Sequence, residues 1–515
     1  MRNQRVWGWQ GYGAVICWCL SLLGVGHAQT SPSLTYSTIF SFDLSRSAGG
    51  VVEDNGTLFG TLSNSSLSYG GAVYKVSIEG GAPETIYQLS STDGYLPTAP
   101  LLVGSDGYLY GSTMYGARTS IVSLYSGGGT LFRVKKDGTG FQTLHTFDAQ
   151  ITNSTLDIGG VSSTRQKNSD GLYPAFPLIQ DSAQSYLYGV TSTGGTNGTG
   201  VIFRVKSDGS GFEVLHTFAS LGADGSSNEG AFPSGPLLLA QDGRLYGVTS
   251  GGGVNLYTKT NNTDLAQPVV TTRGTGTVYS LKTTKDEGNP NNPFDFQTIY
   301  SFPALADQVD ADTNTVDYLG TNDIGAFPSQ GLIEVEPGVL VGTTQDGGGQ
   351  LVNATTGGLG TVYRLRTDGT GATNLLSFDA TTTGYGIKGN LVLKDSRLYG
   401  ISTTGVSHVF SIKTDGSDFV SQYSFVAPGG TIPSSGLTLA SNGDFVGTTS
   451  YGGVCTSYGV VYRLGSGTAT SYSNCTATTS SGGGGAMDYD WLAVLASLLL
   501  VTKLKRRRLK ADRSL

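Results

Sequence analysis

The 515-residue chain sets 31 Lys and Arg against 38 Asp and Glu, a net charge of −7, with only 13% of residues charged. Segments 1–28 and 482–515 hold nine of the basic residues but three of the acidic ones, so the body between them is more acidic still. Such a body lacks the basic footprint of a nucleic-acid-binding protein, and its 78 glycines suit a chain of many hairpins once they fall at turns.

Arg2 and Arg5 precede an apolar run at 13–25, and Gly26-His27-Ala28 places small residues at a cleavage site. This reads as a secretory signal peptide removed after Ala28. The apolar run is short for the alternative, a membrane anchor. Cys17 and Cys19 leave with it.

The segment LTYSTIFSF at 34–42 matches the last strand of a unit that recurs down the chain. The clearest copy spans 231–302. There PLLLA, RLYGVTS, TVYSL and FQTIYSF are short runs rich in β-branched and aromatic residues, separated by turn signals such as Asp242-Gly243. The second run reads LFG, LYG, LYG, LYG, LVG, LYG and FVG, from 58–60 to 445–447. The third reads VYKV (73–76), LFRV (131–134), IFRV (202–205), VYSL (278–281), VYRL (362–365), VFSI (409–412) and VYRL (461–464). Seven four-stranded copies predict an all-β, seven-bladed β-propeller of antiparallel blades over 29–475. The seventh copy lacks a clear fourth strand, so 34–42 is expected to fill that slot and close the ring. The competing occupant is 468–473.

Insertions enter at two kinds of place. They follow the second strand at 115–128, 251–273 and 346–358, and the fourth strand at 148–172 and 303–325. In an antiparallel meander both positions lie on one face, which marks the expected binding face. Tyr125, Tyr257 and Tyr318 on these inserts are candidates for stacking on sugar rings, or for packing the loops onto the disc. Asp310, Asp312 and Asn314 resemble the start of a Ca²⁺ loop, although Thr315 and Thr321 replace the expected glycine and glutamate. No other cofactor is indicated. His145 and His216 occupy the same repeat position, so a ring keeps them too far apart to share a metal. No zinc, P-loop or nucleophile-elbow motif occurs. Glu334 and Glu336 alternate across a strand edge, so they do not form the carboxylate pair of a glycosidase.

Cys455 and Cys475 read as one disulfide in an exported body, the alternative being two free thiols. Residues 476–485 are a Thr/Ser/Gly linker. The tail 486–515 holds the apolar run 491–501 and a basic end. Gly482, Gly483, Gly484 and Gly485, that run and the cluster Lys503 to Arg508 resemble the GlyGly-CTERM sorting signal of Gram-negative bacteria. The resemblance implies processing near the glycines by a rhombosortase-like protease, transient anchoring of the tail in the inner membrane and transfer to the cell surface. A plain membrane anchor is the alternative.

The repeat words LYGVTSTGG (187–195) with GVIFRV (200–205), and LYGVTSGGG (245–253) with GTVYSL (276–281), resemble the GloVer tandem repeat. That resemblance implies a surface protein and no particular activity. The expected function is therefore an exported cell-surface or secreted, non-enzymatic module that binds glycan or protein through its insert face. The alternatives are a polysaccharide-active enzyme (lyase or glycosidase) and a structural envelope protein. Signal peptidase and the rhombosortase-like protease are the expected partners.

Overall fold

The computed structural model describes residues 34–42, 46–47, 49–63, 70–90, 92–116, 127–150, 152–158, 161–183, 185–261, 269–309, 316–349, 358–405, 407–425, 430–452 and 459–465. Each repeat folds as its own antiparallel sheet, and seven such sheets form the blades of a propeller. Blade 4 is representative: Leu238–Leu239, Arg244–Gly253, Thr277–Lys282 and Gln297–Ser301 run outward from the axis in chain order.

The repeated glycine of the second strand has a steric origin. Gly247 pairs with Tyr279 of the third strand, and an added Cβ would lie 2.3 Å from the Tyr279 hydroxyl. The same pairing joins Gly111 to Phe132, Gly189 to Phe203 and Gly400 to Phe410. The ring lies flat across the glycine and fills the gap. Burial of each ring contributes roughly 1.5–3 kcal/mol. The core lies between blades: Tyr110, Leu131 and Phe147 of blade 2 pack on Leu178, Leu187 and Phe203 of blade 3.

Closure follows the expected route. Thr35–Ser41 pairs antiparallel with Val460–Gly465, from Thr35 opposite Gly465 to Ser41 opposite Val460. Ile39, Phe40 and Phe42 are buried by this pairing. The first segment of the chain is therefore the outer strand of the last blade, which removes an unpaired edge.

On one face the third and fourth strands are joined by short Asp-Gly turns. Asp137 Oδ1 accepts from the Thr139 amide at 2.9 Å, and Asp208, Asp368 and Asp415 repeat the arrangement. Hydrogen bonds from Thr139 hold the Asp137 carboxyl below its ordinary range.

Some expectations are corrected. Among the described residues no helix is long and apolar enough to cross a membrane. Every described element is a laterally paired strand of at most 11 residues, whereas a bilayer-crossing helix needs about 20. The transient inner-membrane stage is therefore withdrawn, with the rhombosortase-like partner and the transfer to the cell surface that rested on it. The expected disulfide has no support either: no disulfide occurs among the described residues, which hold neither Cys455 nor Cys475. Cys455, Cys475, Ala28, Gly482, Gly483, Gly484 and Gly485, and the whole 475–515 unit, lie outside the described residues.

Candidate binding face

Among the described residues the insertions build three hairpins. They are Thr152–Ile158 with Val161–Lys167, Leu256–Asn261 with Val269–Gly274, and Ala306–Val309 with Val316–Thr321. All three leave the face opposite the Asp-Gly turns. The first approaches the second to within 8 Å between Cα atoms.

Beneath them, a recurrent turn leads into the inner strand of blades 2, 3, 4, 5 and 7. Leu96, Tyr173, Phe232, Phe327 and Ile432 have φ of 62°, 62°, 61°, 55° and 56°, and proline follows each. Bulky side chains avoid this left-handed region, at a cost of about 1–2 kcal/mol per residue. The turn is held from the preceding blade. The amides of Leu96, Tyr173, Phe232 and Phe327 donate to the carbonyls of Gly70, Gly128, Thr199 and Thr275 at 3.2, 2.7, 2.9 and 2.8 Å. Each proline then packs on the glycine after that carbonyl. At Gly200 an added Cβ would lie 2.6 Å from Pro233. These contacts staple blades 1 to 5 in succession.

The left-handed residues carry the inserts. Phe327 lies 3.6 Å from the guanidinium carbon of Arg273, from the second hairpin. Arg273 also pairs with Asp346 at 3.3 Å. Tyr257 packs on the same ring, is 3% exposed and joins Leu305 and Ala326 in a small core. It therefore anchors its loop and offers no stacking surface.

At blades 2 and 3 three tyrosines meet. Tyr95 leads into the inner strand of blade 2, Tyr115 follows its second strand, and Tyr173 leads into blade 3. The Tyr95 and Tyr115 rings are 6.2 Å apart, and Tyr115 and Tyr173 are 5.4 Å apart, edge to face. Tyr95 and Tyr115 exchange both backbone hydrogen bonds, at 2.9 and 3.1 Å. The Tyr173 hydroxyl donates to Gln166 Oε1 on the first hairpin at 2.5 Å. All three rings are half-buried. Burial raises the Tyr173 phenol above its ordinary value.

The remaining candidates separate. Tyr318 lies in the strand Val316–Thr321, its side chain outside the described residues, as are Tyr125, Asp310, Asp312 and Asn314. Among the described residues no group of three His, Cys, Asp or Glu could hold a metal. His145 lies 2.9 Å from Asp170 and stacks on Phe212 of the next blade at 3.5 Å. His216 lies 3.2 Å from Glu229 and stacks on Phe296 at 3.7 Å. In blade 1 Tyr87 takes the same place, bonded to Asp93 and stacked on Phe141. A device used at three successive junctions joins blades; it is not a catalytic set. Contact with His216 holds the Glu229 carboxyl below its ordinary range.

The tyrosine group was missed because its members lie on three separate segments, of which only Tyr115 falls within an insert. The signal available was the X-Pro step after a glycine, repeated in DGYLP, DGLYP and EGAFP.

No family model matches the chain, and no curated protein matches it. Several solved structures align with the chain weakly. A Bacteroides fragilis protein described as a candidate 6-phosphogluconolactonase is 13% identical, with 79% of this chain and 88% of that one covered and a TM-score of 0.43. The periplasmic gluconolactonase of Pseudomonas aeruginosa is 13% identical, covering 77% and 92%, at 0.40. An oligogalacturonate lyase in complex with manganese is 8% identical, covering 85% and 91%, at 0.41.

Proposed function

We propose that this chain is a binding module that holds a saccharide chain on Tyr95, Tyr115 and Tyr173. The observation that carries this reading is the convergence of three half-buried phenol rings, from three separate segments, on the elaborated face. A phenol ring offers an apolar face to the C–H side of a sugar and a hydroxyl to its polar edge. Tyrosine has few rotatable bonds, so little entropy is lost on contact. The hydrogen bond to Gln166 and the backbone pairing of Tyr95 with Tyr115 pre-position the group. The repeat's place among GloVer sequences belongs to this reading and rests on the words quoted above.

The test is a glycan array followed by calorimetry on the best binder. Replacing Tyr115 or Tyr173 by alanine should weaken binding by roughly tenfold or more. The same samples are assayed for newly released reducing or unsaturated sugar ends. Release would establish the polysaccharide-active alternative. Retention of a protein ligand by the patch, with no glycan bound, would replace the saccharide reading.

A further inference from the structure

The opposite face carries a groove of about 440 Å³ beside blade 1, where blade 2 adjoins it. Its origin lies in the repeat. The first residue of the second strand faces the end of the third: Thr57 opposite Ser77, Tyr108 opposite Lys135, Tyr186 opposite Lys206, Arg244 opposite Lys282 and Arg397 opposite Lys413. In blades 2 and 3 this residue is a tyrosine lying under an arginine. The Arg133 guanidinium is 4.5 Å from the Tyr108 ring centre, and that of Arg204 is 4.6 Å from Tyr186. In blades 4 and 6 an arginine fills the place, tied to Asp295 and Asp418. Blade 1 has only Thr57.

The rest of the cradle persists in blade 1. Lys75, opposite Phe59, stands where Arg133 stands opposite Tyr110. Ala82 takes the place of Gly140, over which the Tyr108 hydroxyl lies. Ion pairs wall the groove on two sides, Lys75 with Glu84 at 3.1 Å and Lys136 with Asp54 at 2.8 Å. The cation and the turn are present, and the ring between them is missing.

The geometry points to a second binding site in this groove, for a phenolic ring supplied by a ligand and seated beneath Lys75 in the volume that Tyr108 and Tyr186 occupy in their own blades. A cation over a ring face attracts it, and the carboxylates of Glu84 and Asp54 suit a hydroxyl donor at the ring edge. The site lies on the face opposite the tyrosine patch and does not depend on it.

The full chain is titrated with p-cresol and with N-acetyl-tyrosinamide, followed by saturation-transfer NMR, with cyclohexanol as the aliphatic control. Saturable binding of a phenol is expected with a Kd on the order of 1 mM, as suits so small a ligand, and none for cyclohexanol. Thr57→Tyr supplies the ring from within and should weaken binding by about tenfold or more, a difference near 1.4 kcal/mol, with Tm unchanged or raised. Thr57→Arg, the blade 4 solution, is the second variant should the first misfold. Tyr173→Ala should leave phenol binding as it was. Preference for N-acetyl-tyrosinamide assigns the site to a protein side chain, and preference for p-cresol to a small phenol; both support it. Absence of saturable phenol binding, equal binding of cyclohexanol, or full binding by a folded Thr57→Tyr or Thr57→Arg protein overturns it.

Discussion

In blade 4 the guanidinium of Arg244 bonds Ser280 Oγ at 3.2 Å, Asp295 Oδ2 at 2.8 Å and the Asp295 carbonyl at 2.7 Å. In blade 6 Arg397 meets Ser411, Asp418 Oδ2 and the Asp418 carbonyl at 3.1, 2.7 and 2.6 Å. The two blades share this half almost atom for atom, down to the left-handed Asp295 and Asp418. Towards the insert face they part. Blade 4 pairs the hydroxyls of Thr249 and Thr277 at 2.8 Å. Blade 6 places Ser402 opposite His408, which is buried with both ring nitrogens unpartnered among the described residues. Blade 4 opens on Phe232-Pro233 with φ 61° at Phe232; blade 6 opens on Gly386-Ile387 with φ 68° at Gly386. Glycine takes that conformation freely, so blade 6 needs no staple there. The lesson is that blades 4 and 6 share one turn half, while their insert halves carry the difference between them.

The largest effect tests the shared part. Gly247→Ala and Gly400→Ala each force a methyl into a buried ring, 2.3 Å from Tyr279 and 2.6 Å from Phe410. Each should cost about 3 kcal/mol by denaturant unfolding. Costs that differ by more than about 1 kcal/mol would show that the two blades are not one module.

Next comes the divergent part. Burial lowers the His408 pKa to about 4, against a smaller opposing effect of Asp379. The folded state keeps the ring neutral while the unfolded chain binds a proton near pH 6.5. Stability from this residue is therefore full above pH 6.5 and falls as pH drops towards 4. His408→Thr, the blade 4 residue, should remove that slope and raise stability at pH 4.5 by roughly 2 kcal/mol relative to the parent. Blade 4 offers no equivalent. An unchanged slope between pH 6.5 and 4.5 would place the acid sensitivity elsewhere.

A smaller effect concerns the arginine forks. Arg244→Met and Arg397→Met should each cost about 1 kcal/mol, since both side chains are largely buried and hydrogen-bonded yet reach the surface. The two midpoint shifts should agree; a one-sided loss would break the equivalence.

The smallest is a gain. The Tyr279 hydroxyl is buried without a partner among the described residues, and blade 6 has Phe410 at that place. Tyr279→Phe should be neutral or stabilising by about 1 kcal/mol in thermal unfolding. A clear loss would reveal a partner for the hydroxyl.

The repeat words alone determined strand number, strand order, blade count and the filling of the last slot by 34–42. Their physical basis is local: two-residue alternation and Asp-Gly turns set pairing within a few residues of chain. The same locality made the insert face legible from loop position. It did not reveal that Tyr257 is a buried anchor, because its cover comes from Leu305 and Phe327, some 50 positions or more away in sequence. Nor did it bring Tyr95, Tyr115 and Tyr173 together, since three segments meet there only when blade 3 packs against blade 2. The left-handed X-Pro turns were hidden for a similar reason: bulky residues rarely adopt that φ unless a neighbouring blade holds them. Thr57 in the sequence is only a small residue in a strand. It bounds a groove because Lys75 and the turn around it keep the shape that a tyrosine fills in the next two blades, and that shape exists only in the assembled ring.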